Sequence, residues 1–207
     1  MTQELLITLV TILISYGLGC FSTAYYLVRW RTGQDIRVVG SGTAGARNVG
    51  RVLGKQGFAI TFLGDALKGA LAVGLAMWLE LSAIGVAGAL LAVVAGHLWP
   101  VQLGGKGGKG ASTALGGVLV INVWLGLIIL ALAALFWKIT RSMTRGGMIA
   151  MALAPVVAWL LGVDIVLVGG IAVLAVLLLF AHRDNWTSKS IATSAVAENS
   201  STFEHHA

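Results

Sequence analysis

The sequence predicts an all-α polytopic integral membrane protein of about seven transmembrane helices, with its N-terminus outside and its C-terminus cytoplasmic. Three observations predict it. The chain is 57% hydrophobic and only 11% charged, where a soluble domain carries about 25% charged residues. Its apolar residues fall into runs near the roughly 20 residues that a spanning helix needs. Its lysines and arginines gather in alternate gaps between those runs. A chain of 207 residues keeps a large surface, so the missing charge cannot be hidden in a core. Lipid is the solvent that such a surface fits.

The first run covers 5–28. The second, 58–79, contains Asp65 and Lys68. Ionisable residues within a span are costly and point to function, but these two lie three apart and suit an ion pair near a site. The third run is 81–99, and 146–161 and 165–181 are two shorter ones. The stretch 111–137 reads either as one long helix or as two passes turning near Asn122. Charge arbitrates, because lysine and arginine near span ends mark the cytoplasmic side. With two passes, one side holds Arg29, Arg31, Arg37, Arg47, Arg51, Lys55, Lys106, Lys109, Lys138, Arg141, Arg145, Arg183 and Lys189. The other holds Glu4, Glu80 and Asp164. With one pass the later basic residues would be split between the sides. Two passes are therefore predicted, with 111–121 as a short helix shielded by its neighbours. Residues 1–186 form one transmembrane domain. The tail 187–207, rich in Ser, Thr and Ala, is predicted to be disordered.

The net charge of +6 sits in the loops, which points to a membrane surface and to phosphate rather than to nucleic acid. A single cysteine, Cys20, allows no internal disulfide and, within an apolar run, reads as a packing residue. No basic residue precedes the first run, which argues against a cleaved signal peptide. Neither a metal site nor a cofactor is expected: the chain has one cysteine, and outside the tail no two histidines stand at ligand spacing. There is no G-x-S-x-G for a nucleophilic serine.

Three polar segments remain. The first is Gly40-Ser41-Gly42-Thr43-Ala44-Gly45-Ala46-Arg47-Asn48, with Arg51 following. Its literal GxGxxG would need a preceding strand to bind a dinucleotide, and here a membrane span precedes it. What it offers is glycine backbone that an anion can approach, with Ser41, Thr43 and Arg51 as donors. A plain flexible loop is the alternative. The second begins at Gly96-His97 and runs to Gly104-Gly105-Lys106-Gly107-Gly108-Lys109-Gly110. It is no Walker motif, since neither lysine has glycine six residues before it and Ser or Thr after it. Two lysines among glycines at the start of a helix still make an anion cradle. The third is His182-Arg183-Asp184-Asn185, where a helix would set His182 and Asn185 on one face.

Together these segments resemble the PlsY family of bacterial glycerol-3-phosphate acyltransferases. The family pattern is GSGNxGATN followed by an arginine, then GHxxPxxxxxKGGKG, then a terminal HxxN. This chain has GSGTAGARN with Arg51, GHLWPVQLGGKGGKG, and His182 to Asn185, in that order. The resemblance spans about 17–185. It implies an acyltransferase of the bacterial cell membrane, its site facing the cytoplasm, that moves an acyl group from acyl phosphate to glycerol-3-phosphate. It implies His182, Asn185 and Ser41 at the chemistry. Gly40, Gly42, Thr43, Asn48, Arg51, His97, Lys106, Gly107, Gly108, Lys109 and Thr144 would line the substrates, Thr144 standing for a family serine. The expected partners are the two substrates and membrane lipids. Thr43 replaces an asparagine of the pattern, Arg47 a threonine and Ala181 an arginine. Two other classes fit the loops: a transporter or channel for a phosphate-bearing anion, and an inactive membrane interaction protein.

Overall fold

The computed structural model describes residues 3–183; Asn185 and the tail lie outside the described residues. Those described form eight helices and no strand: α1 (Gln3–Cys20), α2 (Thr23–Thr32), α3 (Ala46–Trp78), α4 (Ala83–Leu98), α5 (Ala111–Ile121), α6 (Val123–Thr140), α7 (Met143–Leu160) and α8 (Ile165–Ala181). Short 3-10 turns cover Ile36–Val38 and Val101–Leu103. Five stretches are long and apolar enough to cross a membrane, and α5 and α8 are shorter. Leu13, Leu63, Trp78, Ile139, Trp159 and Val176 are all more than half exposed. A belt of large apolar side chains of this kind is solvated by lipid, not water.

The stretch 111–137 is two helices. Asn122 takes an extended backbone that ends α5, and its side chain accepts a hydrogen bond from the Leu125 amide at 3.0 Å, capping α6. The 11 residues of α5 reach only roughly 16 Å. Thr113 to Val118 are buried, shielded as expected. A Cβ on Gly69 would collide with the Thr113 carbonyl, and one on Gly116 with the Ala66 carbonyl, so α3 and α5 touch backbone to backbone. Gly19 and Gly96 do the same for α1 and α4. Small residues permit this approach in lipid, where dispersion rather than water exclusion drives packing.

Two expected spans are corrected. The run 5–28 is not one helix: it breaks between Cys20 and Thr23. The carbonyls freed at the end of α1 find distant side chains. Lys68 Nζ donates to Gly19 O at 3.0 Å and to Phe21 O at 2.7 Å, and Gln102 Nε2 donates to Cys20 O. Ser22 then caps α2 by accepting from the Tyr25 amide. The second span begins 12 residues earlier than the expected 58, at Ala46, and is kinked at Gly54 (φ 72, ψ −165). Only glycine takes that backbone without strain. The kink separates a short first segment, carrying Arg47 and Arg51, from the apolar remainder.

Candidate functional site

The chain shuttles between two ends, and one end collects its chemistry. A cavity of about 660 Å³ opens there, lined by Arg47 and Arg51 from the start of α3, His97 from the end of α4, Lys109 and Ser112 at the start of α5, Trp137 near the end of α6, Thr144 from the start of α7, and His182 after α8. Beyond this polar mouth the lining turns apolar, with Phe58, Phe62, Leu115, Ile129, Leu130, Met148 and Met151. One end therefore suits an anion and the other a hydrocarbon chain.

The polar end is built for negative charge. Arg47, Arg51 and Lys109 line the cavity, and Asp65 is the one carboxylate among the described lining residues. That carboxylate lies 3.1 Å from Lys68 Nζ and 3.6 Å from His97 Nδ1. Neither contact is aligned as a hydrogen bond, and both Asp65 oxygens and His97 Nδ1 lack one. Asp65, Lys68 and His97 are each almost wholly buried. Helices α3 and α5 begin at the cavity with Gly45 and Gly110 as caps, and no side chain bonds their first amides. Uncapped helix N-termini present free N–H groups and the positive end of the dipole. An anion held in the cavity would complete them.

The first loop is organised by Asn48, which is buried. Its Oδ1 accepts from the Ser41 amide at 2.8 Å, and its Nδ2 donates to the carbonyls of Ile36, Val39 and Thr43. Gly40 (φ 62) and Gly42 (φ 70) turn the chain around it. Asn48 borders the cavity, but its polar atoms are spent on shaping the loop. Ser41 and Thr43 lie with their hydroxyls 3.0 Å apart and face the cavity. Arg37 ties this loop to the next, pairing with Asp35 at 2.6 Å and donating to Leu103 O. Its guanidinium holds the Asp35 carboxyl below the usual carboxylate range.

The glycine–lysine loop corrects an expectation. The amides of Gly107 and Gly108 do not wait for an anion: they donate to Leu98 O and His97 O at 3.0 and 3.1 Å. A Cβ on Gly108 would strike the His97 ring and the Ala44 carbonyl. These glycines fold the loop flat against the end of α4. They border a smaller cleft of about 220 Å³, shared with Thr43 and Lys109. Lys106 is exposed and lines neither space. The cation that the loop brings to the cavity is Lys109.

His182 is buried, and its Nδ1 lies 2.8 Å from Leu178 O. A carbonyl only accepts, so Nδ1 carries the proton in the neutral ring, leaving Nε2 as an acceptor. Burial, and then the charges of Lys109 and Arg47, hold the imidazole below its usual range against that bond, so the ring is neutral at pH 7. The helix that was to set His182 and Asn185 on one face ends at Ala181, and Asn185 lies outside the described residues. Thr144 lines the cavity and accepts a hydrogen bond from Arg47 Nη1. The sequence reading missed Arg47, Ser112 and the apolar lining from α6 and α7. Arg47 and Arg51, four apart after a glycine cap, were the available signal for the first.

A family model for glycerol-3-phosphate acyltransferase matches residues 9–190. A glycerol-3-phosphate acyltransferase 1 of Desulfitobacterium hafniense is 46% identical over 181 residues, covering 87% of this chain and 89% of the relative. One of Bacillus cereus is 44% identical over 170 residues, 82% and 93% of the two chains. The crystal structure of PlsY (YgiH), an integral membrane glycerol 3-phosphate acyltransferase in its glycerol 3-phosphate form, superposes with a TM-score of 0.84. It is 28% identical, with 89% of this chain and 92% of that one covered.

Proposed function

The chain belongs to the glycerol-3-phosphate acyltransferase family, and from that premise we propose that it transfers an acyl group from acyl phosphate to glycerol-3-phosphate. The chain is an acyltransferase and a membrane protein; the donor, the product and the orientation are our reading. The acceptor's first hydroxyl attacks the acyl carbon, the carbon–oxygen bond to phosphate breaks, and the hydroxyl proton leaves with the departing phosphate. The products are lysophosphatidic acid and inorganic phosphate.

The observation that carries this reading is the two-ended cavity, cationic at its mouth and apolar beyond. An acyl phosphate is already activated, so the site needs positioning and charge stabilisation rather than a covalent nucleophile. Arg51, Lys109 and the hydroxyl of Ser41 hold the phosphates. Neutral His182 accepts a hydrogen bond from the attacking hydroxyl at Nε2, a role the family resemblance extends to Asn185. His97 supports the lysine loop from below.

Acyl-coenzyme A is expected to fail as a donor, because holding its nucleotide calls for a soluble domain or long loops, and the described loops beside this mouth are short. Phosphate release from acyl phosphate should far exceed thiol release from acyl-coenzyme A of equal chain length in purified protein. Equal or faster use of the thioester sinks the proposal. The basic end, with C-terminus, faces the cytoplasm of a bacterial plasma membrane by the same charge rule. Cysteines placed at positions 37, 106 and 141 should resist a membrane-impermeant label in intact cells; labelling from outside inverts the orientation.

A further inference from the structure

We propose that Arg47, braced by Thr144, is a ligand for the phosphate of the acyl donor. This inference rests on the acyl phosphate reading above. The family pattern has threonine at this position, so the residue is a property of this chain and not of the pattern.

Arg47 and Arg51 stand one helical turn apart at the N-terminal end of α3, and both line the cavity. Like charges at this spacing repel, and cations at a helix N-terminus oppose its dipole. Among the described residues neither guanidinium pairs with a carboxylate. An arrangement that is unfavourable on three counts becomes favourable with a dianion between the arginines and the uncapped amides. The charges of Arg47 and Lys109 also act on His182, so all three groups face one small space.

The position selects the donor. Arg47 reaches across to Thr144 on α7, and the same helix contributes Met143, Met148 and Met151 to the cavity wall, beside Trp137 of α6. The guanidinium therefore lies where the polar mouth meets the apolar lining. In an acyl phosphate only the carbonyl carbon separates the phosphate from the hydrocarbon chain, so its anion must sit at that border. Glycerol-3-phosphate has no apolar part, and its phosphate lies three carbons from the reacting hydroxyl. Thr144 acts through Arg47, as a positioning residue.

The test is steady-state kinetics of purified Arg47→Thr with both substrates varied. The KM for acyl phosphate should rise about tenfold or more, as for loss of one charge-assisted hydrogen bond. The KM for glycerol-3-phosphate should stay within about twofold. Thr144→Ala should shift the donor KM in the same direction by less, and adding it to Arg47→Thr should change nothing further. A rise confined to the glycerol-3-phosphate KM, or no rise in either, overturns the assignment while leaving the donor reading intact. Wild-type protein that releases no phosphate from acyl phosphate overturns both. Should Arg47→Thr fail to fold, Arg47→Lys and Thr144→Ala carry the same comparison, and an unchanged donor KM in both overturns the proposal.

Discussion

Lys109→Ala is expected to lower kcat/KM by about 10²–10³-fold, the cost of removing one preorganised charge from a transition-state site, while the protein stays folded in the membrane. Lys109 follows two glycines packed flat on α4 and precedes Gly110, the cap of α5 (φ 81). The loop thus sets its side chain at the cavity mouth, within electrostatic reach of His182. On the acyl phosphate reading proposed above, charge develops there as the phosphate departs, and a positioned ammonium stabilises it. Lys106→Ala is the matched control, since Lys106 is exposed and outside the cavity. It should leave turnover within about threefold of wild type. Turnover near wild type in Lys109→Ala, with loss in Lys106→Ala instead, would reverse the two roles. Thermal unfolding of both variants in detergent separates lost chemistry from lost folding.

The second large effect is on stability. Lys68→Met should destabilise the fold by about 3–5 kcal/mol, the range for breaking a buried ion pair by removing one partner. Lys68 does two jobs from one nitrogen. It neutralises Asp65, and it donates to two carbonyls where α1 ends. Its loss leaves a buried carboxylate uncompensated and takes the donor from the Gly19 and Phe21 carbonyls at the break between α1 and α2. Asp65→Leu combined with Lys68→Met should recover much of the deficit, because no lone charge remains. Unfolding temperatures of the two variants decide. A single variant as stable as wild type would mean that the carboxylate is solvated through the cavity.

Much of this architecture was legible in the sequence. The apolar runs, the one-sided lysines and arginines and the break at Asn122 are properties of short stretches. Each can be read where it stands. The three polar segments and their order were equally plain, and the structure brings described members of each to one end. Less legible was what each member does. Asn48 sits in the motif but shapes its loop, and Gly107 and Gly108 pack rather than donate to a ligand. A glycine that gives way to a neighbouring backbone looks the same in sequence as one that receives an anion. Arg47 was visible as a departure, yet its place in the cavity depends on the kink at Gly54.

The sequence by itself determined the solvent, the helical class, nearly every helix and the sign of the charge at the active end. Hydropathy and charge act residue by residue against water and lipid, so they need no partner to be read. Tertiary structure alone decided where α1 stops, which lysine enters the cavity and which buried groups meet. Those outcomes rest on partners far apart in the chain. Lys68 closes α1 from 49 residues away, and Gln102 from 82. In lipid an open carbonyl has no water to turn to, so the helix end is set by whichever distant donor the packing delivers.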